Sequence, residues 1–219
     1  MRIGVLGTGM VGRTLASKLV ELGHDVCMGA RDAANERAAG WAAEAGELAR
    51  HGTFADAAEH GDVVVNATAG TGSLEALRAA GADALAGKVL VDVANPLDFS
   101  QGMPPTLAVC NTDSLGEQIQ REFPDARVVK ALNTVNAGVM VDPGLVPGDH
   151  NLFVCGDDVD AKADVGSLLR SFGWPAGSIV DLGGIDAARG TEMYLPLWLR
   201  LYEVSGTAAV NVQLHVGSG

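Results

Sequence analysis

Residues 2–12 constrain the fold of this chain more tightly than any other stretch. Arg2-Ile3-Gly4-Val5-Leu6 is a short apolar strand, and it runs straight into Gly7-Thr8-Gly9-Met10-Val11-Gly12, a G-x-G-x-x-G turn with a helix-prone segment behind it. The order strand, turn, helix carries the inference more than the glycines do. Gly7 permits the tight turn at the strand end, Gly9 lets the backbone approach a pyrophosphate, and Gly12 lets the helix pack closely on the strand. The amides of the helix N-terminus then face the phosphates. The plainer reading is a glycine-rich turn that holds nothing. The context favours dinucleotide binding, with Gly7, Thr8, Gly9, Met10, Val11 and Gly12 at the cofactor.

Apolar, strand-like runs recur at 2–6, 25–29, 62–67, 88–92, 127–133, 151–155 and 178–182, with a short one near 52–54. Helix-like stretches lie between them, at about 11–23, 33–46, 72–84, 113–122, 159–173 and 186–205. Short apolar strands separated by helices imply βαβ units. Right-handed crossovers then give an α/β fold of the Rossmann type, an open, doubly wound and mostly parallel sheet. The expected strand order is 3-2-1-4-5-6, with the last strands added at the edge. Residues 1–140 are read as the dinucleotide-binding domain, and 141–219 as a small C-terminal α/β extension on the same sheet. The loop 93–106, with Pro96, Pro104 and Pro105, is read as the longest irregular piece. It follows a strand, so it lies at the carboxyl edge of the sheet, where ligands of such folds bind.

Composition closes off other classes. An apolar fraction of 47% over 219 residues supports a substantial core. A net charge of −12 argues against nucleic acid or an anionic membrane as partner, since both attract basic surfaces. No run approaches the roughly 20 apolar residues of a membrane span, and residues 1–6 lack the pattern of a secretory signal. Cys27, Cys110 and Cys155 are far apart and form neither a disulfide framework nor a metal-spaced set. A reducing cytoplasm is the expected location, with no metal.

The tip of the second strand selects the dinucleotide. NAD sites usually carry an acid there, whereas NADP sites accommodate the 2′-phosphate with an arginine. Here Gly29 and Ala30 occupy the acid's place and Arg31 follows, able to grip a phosphate through charge-assisted contacts. NADP is therefore expected, with Ala30 and Arg31 at its ribose phosphate. A one-residue shift in register would make Asp32 a ribose ligand instead, and a solvated Arg31–Asp32 pair capping the next helix is the plainer alternative.

Further loops follow at the carboxyl edge. Asn66-Ala67-Thr68-Ala69-Gly70-Thr71-Gly72 offers small residues beside the nicotinamide ribose, with Ala67, Thr68 and Ala69 at the cofactor, or is an ordinary helix-capping turn. Asn95-Pro96 marks a rigid turn that can shape the nicotinamide pocket. Asn133 and Asn136, flanking Val135, can hold a carbonyl or carboxamide, or serve as turn and cap residues. Lys130 sits inside an apolar run and is read as snorkelling from a sheet edge in preference to the alternative, a catalytic lysine. None of the histidines has a partner at motif spacing, and Tyr-x-x-x-Lys and Ser-x-x-x-Lys pairs are absent from the short-chain dehydrogenase position. Hydride passed between two flat redox rings needs stacking and distance control more than side-chain proton chemistry.

With these residues in place, the chain resembles the F420-dependent NADP oxidoreductases, which move hydride between NADPH and the deazaflavin coenzyme F420. The resemblance rests on Gly7-Thr8-Gly9-Met10-Val11-Gly12, Leu22-Gly23-His24-Asp25-Val26, Gly29-Ala30-Arg31, Val128-Val129-Lys130-Ala131-Leu132-Asn133-Thr134, Val154-Cys155-Gly156-Asp157-Asp158 and Ala188-Arg189. It implies NADPH along the sheet edge and a deazaflavin stacked on the nicotinamide. The cleft would be formed by the 95–97 turn, the 133–137 segment and the C-terminal part. Asn95, Pro96, Asn133, Val135 and Asn136 would frame the rings, and the family implies a homodimer. The cytoplasmic domains of membrane ferric reductases look similar too. Two other functions stay open: an NADP-dependent reductase of a small imine, carbonyl compound or ferric chelate, and a non-catalytic dinucleotide sensor. The segment 191–202 is apolar on nearly all sides, so it is expected to be buried, in its own core or against a partner, with Pro196 bending or breaking it. Asp157-Asp158 is read as a cap for the helix that follows.

Overall fold

The strands alternate with helices along nearly the whole chain. The structure, a computed structural model, describes residues 1–217. Its strands are β1 (Arg2–Leu6), β2 (Asp25–Ala30), β3 (Ala49–Thr53), β4 (Val63–Asn66), β5 (Val89–Asp92), β6 (Leu97–Asp98), β7 (Thr106–Leu107), β8 (Arg127–Ala131), β9 (Leu152–Cys155) and β10 (Ile179–Asp181). Eight of them form one sheet in the order β3-β2-β1-β4-β5-β8-β9-β10, while β6 and β7 make a separate ribbon. The expected order 3-2-1-4-5-6 is therefore present, with two strands added at the edge.

Helices cover both faces of this sheet: α1 (Met10–Glu21), α2 (Glu36–Ala45), α3 (Phe54–His60), α4 (Ser73–Ala80), α5 (Ala82–Leu85), α6 (Leu115–Glu122), α7 (Ala137–Val141), α8 (Val159–Ser171), α9 (Ala188–Met193) and α10 (Leu195–Ser205). One core packs α1, α2, α7 and α8 on the sheet through Leu15, Leu19, Trp41, Met140 and Leu168. The other packs α3 to α6 and α9 through Ala57, Leu77, Leu85, Ile119 and Ala188. With both faces covered, the central strands read as nearly continuous apolar runs.

Several expectations need correction. The last two strands run against the rest: β9 pairs antiparallel with β8, and β10 parallel with β9. An antiparallel neighbour needs no crossover helix, and the short α7 stays at the carboxyl edge. Helix α3 escaped the sequence reading because seven alanine-rich residues show little period; Thr53 and Asp56 start it with a reciprocal capping box. The helix expected over 72–84 is split at Gly81, whose φ of 94° breaks it. The strand expected over 127–133 stops at Ala131, because Leu132 turns the chain with φ of 64°. The loop 93–106 is not wholly irregular, since β6 forms within it and pairs with β7, which starts at its last residue. The helix expected over 186–205 becomes a turn, α9 and α10, with Pro196 in the first turn of α10.

The chain's own core does not cover most of the C-terminal helix. Of α10 only Leu195 is buried, whereas Leu197, Tyr202 and Val204 are 54%, 44% and 81% exposed in the single chain.

Candidate active site

The turn after β1 leaves a cradle of open backbone. Gly7 has φ of 117°, and a Cβ there would lie 2.5 Å from the Ala67 carbonyl oxygen. A Cβ on Gly12 would meet the Gly7 carbonyl oxygen at 2.1 Å, so the first turn of α1 sits directly on the strand end. Gly9 differs: nothing lies within 4 Å of its missing Cβ. Packing gives no reason for a glycine there, and the space beside it is open. Gly9 is the N-cap of α1, and no side chain caps this helix. Its first amides are therefore free for an anion, as the helix dipole favours.

At the tip of β2, register settles the placement of the candidates. Gly29 pairs with Leu6, and Ala30 ends the strand opposite Thr53. Asp32 lies two residues further on, and its Oδ1 accepts the Ala34 amide. Asn35, not the Arg31–Asp32 pair, caps α2 by accepting the Ala38 amide. Arg31 is 80% exposed at its side chain and only loosely paired, 3.9 Å from Glu75 on α4. Its guanidinium is thus available to a phosphate at the strand tip.

From the start of α1, a cleft of about 380 Å³ runs along the carboxyl edge of the sheet. Met10 and Val11 line one end, Ala67, Thr68 and Ala69 one wall, and Asn95, Asn133, Val135 and Asn136 the floor. Leu195 and Trp198 of α10 close it. Pro96 is not in the lining; it packs beside Gly70, where a Cβ would strike the Asn95 carbonyl at 2.0 Å. Asn136 has the capping role that the sequence left open, accepting the Gly138 amide at the start of α7. A second, wider groove of about 700 Å³ lies between α1 and α2, lined by charges of both signs such as Arg13, Lys18, Glu36 and Glu44. None of the unpartnered buried polar atoms found among the described residues lines it.

Asn95 and Asn133 clamp the cleft floor together. Asn95 Nδ2 donates to the Asn133 carbonyl at 2.8 Å, which fixes the orientation of its amide. Asn95 Oδ1 then accepts from Asn133 Nδ2 at 3.0 Å. Asn133 Oδ1 is left without a partner although the residue is only 2% exposed. A buried acceptor in that state is costly unless a ligand donates to it. The residue before this clamp, Leu132, holds a left-handed conformation that a branched side chain rarely adopts, and such strain gathers at functional sites.

Beneath the floor lies a charged network that the sequence reading missed. Lys130 does not snorkel. It is fully buried, and its Nζ donates to Asp92 at 2.7 Å and to the Ala94 carbonyl at 2.6 Å, and pairs with Glu192 at 2.7 Å. All its protons are thereby used. Asp92 also accepts from Asn66 Nδ2 and from the Ala94 amide. Glu192, on α9, accepts the amides of Leu115 and Gly116 at the start of α6. Burial pushes the Glu192 carboxyl above the ordinary carboxylate range, although Lys130 pulls the other way. Burial opposes the Lys130 charge, but Asp92 and Glu192 outweigh it and raise the ammonium above its usual value. The signal in the sequence was a charge following a run of apolar strand residues, once in Val89-Leu90-Val91-Asp92 and once in Val128-Val129-Lys130.

The remaining motif residues are structural. Asp158 caps α8 through the Ala161 amide, as expected, and pairs in fork geometry with Arg127, which depresses its carboxyl. Asp157 accepts the Ile185 amide. Arg189 grips Glu117 through two nitrogens. Cys155 is buried and its thiol is pushed up to about 12, so it offers no thiolate.

A sheet whose first crossover presents uncapped amides, and whose carboxyl edge opens into an apolar cleft, has the arrangement of a dinucleotide-binding protein. Known proteins agree. A family model described as NADP oxidoreductase, coenzyme F420-dependent, matches residues 2–96. The F420-dependent NADP reductase of Methanothermobacter marburgensis is 30% identical over 212 residues, 92% of each chain. The chain belongs to this family of NADP-dependent oxidoreductases. A solved protein of Arthrobacter sp. FB24, provisionally described as an F420-dependent NADP reductase, superposes with a TM-score of 0.93 at 53% identity, over 99% of this chain and 100% of that one. The metalloreductase STEAP3 of Rattus norvegicus is 30% identical over 201 residues, and the chain spans 38% of its length.

Proposed function

We propose that this enzyme passes hydride between NADPH and a planar ring acceptor, coenzyme F420 in the leading reading. The observation that carries it is the continuity between two features: the open cradle at Gly9 leads into the cleft that ends at the unpartnered Asn133 Oδ1. The amides of Met10, Val11 and Gly12 would hold the pyrophosphate, with Gly7, Thr8 and Gly9 giving it room. Ala30 and Arg31 would take the ribose phosphate, and Ala67, Thr68 and Ala69 would flank the second ribose. Asn133 would accept the carboxamide N–H of the nicotinamide, held in place by Asn95, while Val135 and Asn136 would shape the wall. The cofactor supplies the hydride chemistry; the protein's part is to fix ring distance and exclude water.

The likeness to STEAP3 favours a second acceptor class, a ferric chelate. The exposed apolar side of α10 supports a homodimer, since such a face on a folded chain marks an interaction site. No described helix is long and apolar enough to cross a membrane, and we place the enzyme in the cytoplasm. Stopped-flow oxidation of NADPH tests the reading, with F420, then free flavins, then ferric chelates as acceptors. Rapid oxidation by F420 alone is expected. Tight NADPH binding with no oxidation by any of them would replace the enzyme with a dinucleotide sensor.

A further inference from the structure

Four buried side-chain polar atoms among the described residues have no hydrogen-bond partner: Asn133 Oδ1, Thr134 Oγ1, Tyr194 OH and Trp198 Nε1. Three of the four residues share one place, and Tyr194 lies outside it. Asn133, Thr134 and Trp198 all line the one cleft at the carboxyl edge. Asn133 and Thr134 are each 2% exposed and come from the loop after β8, whereas Trp198 comes from α10. Native folds leave few such atoms, and each calls for a ligand or another explanation.

The chemistry of the atoms divides them. Asn133 Oδ1 only accepts, and Trp198 Nε1–H only donates. A nicotinamide carboxamide answers the first through its N–H. The second needs an acceptor, for which a ring carbonyl oxygen serves, and α10 contributes no other hydrogen-bonding side chain to the cleft. The indole is also held: it stacks on Tyr202 with ring centroids 5.9 Å apart and planes 5° from parallel. Its N–H is therefore oriented before anything binds, which lowers the entropy lost on binding.

We propose that Trp198 is the residue that selects the electron acceptor, donating its indole N–H to a carbonyl or ring oxygen of a planar heterocycle. This rests on the nicotinamide occupying the same cleft, and it adds that the C-terminal helix supplies the acceptor's anchor. Metal chelates without such an oxygen edge gain nothing from it.

The test is equilibrium binding to protein already loaded with NADP⁺, so that no turnover is needed. Oxidised F420 and FMN, both bearing ring carbonyls, are titrated by calorimetry into the wild-type protein and into Trp198→Phe. The phenyl ring keeps an aromatic stack on Tyr202 and lacks the N–H. Affinity for at least one probe should fall about tenfold in the variant, the worth of one hydrogen bond. The variant should melt within about 2 °C of the wild type, which reports an intact fold. Equal affinity in the two proteins, or no binding of either probe by the wild type, would overturn the proposal. So would a variant whose sedimentation shifts to a smaller species with probe affinity unchanged, because the N–H would then belong to a contact between copies. Loss of NADP⁺ binding by the wild type is a separate outcome; it removes the underlying reading and the proposal with it.

Discussion

The two ends of the proposed cofactor groove are built on different principles. At the β1–β2 end the surface is backbone: a turn without side chains, uncapped amides, and one arginine that is 80% exposed. At the β5–β8 end the floor stands on three charged side chains, Asp92, Lys130 and Glu192, that are 0–1% exposed. The first arrangement contributes little to holding the fold together and leaves its groups free for a ligand. The second is fully satisfied within the protein and offers the ligand no charge. It serves by fixing the turn that carries Asn95, since Lys130 holds the Ala94 carbonyl from below. Recognition is thus separated from rigidity along one groove.

The largest effect that would break this comparison is expected from Lys130→Met. It leaves Asp92 and Glu192 buried with no counter-charge, a loss of about 3–5 kcal/mol. For a chain of this size that lowers Tm by roughly 6–20 °C. Arg31→Ala at the other end should move stability by less than about 0.5 kcal/mol. If thermal melts show the two variants within 2 °C of each other (about 0.5 kcal/mol), the network is not the rigid element described here.

A pair of glycine substitutions sharpens the same contrast. Gly12→Ala forces a methyl against the Gly7 carbonyl and should cost about 1–3 kcal/mol of folding stability. Gly9→Ala has open space and an ordinary φ of −74°, so the fold should be unaffected. Its methyl enters the space assigned to the pyrophosphate, and NADPH affinity should drop by about 1–3 kcal/mol. Melting curves and calorimetry on both variants separate the effects. A Gly9→Ala protein that binds NADPH normally would remove the cradle.

These two ends were unequally legible in the sequence. Residues 7–12 act through neighbours in the chain, so spacing alone conveys their geometry. The strands and their order followed from apolar runs for the same reason. Lys130 meets Asp92 across 38 positions, and Glu192 meets Leu115 across 77. Nothing local announces such contacts, and a lysine in a strand reads as an edge residue until its neighbours are known. Leu132 is similar, because no residue preference predicts a left-handed leucine. For α10, composition reports how apolar the helix is, but not whether its cover lies in the same chain or in a partner.

Arg31 tests the recognition end more finely. Arg31→Ala should weaken NADPH by about 2 kcal/mol, the worth of a charge-assisted contact to phosphate, and leave NADH nearly unchanged. Equal losses for the two coenzymes would place Arg31 elsewhere than at the 2′-phosphate. Added salt should shrink the difference, because the side chain is solvated.

The smallest effect expected is a slope, and it belongs to the rigid end. Burial raises the Glu192 carboxyl, so the folded protein holds that proton more tightly than the unfolded chain does. The resulting stability is present below the ordinary carboxylate pKa and is lost as pH rises through the folded value. Glu192→Gln has no such proton. The stability advantage of the wild type over this variant should therefore shrink with rising pH from about 4.3 upward, with a limiting slope of one proton, about 1.4 kcal/mol per pH unit. Urea denaturation of both proteins across the acid range measures it. An advantage that instead widens with pH would mean that the attraction of Lys130 dominates over burial. The network would then stabilise the fold by its charges, and the rigid end would owe less to its hydrogen bonds than the geometry implies.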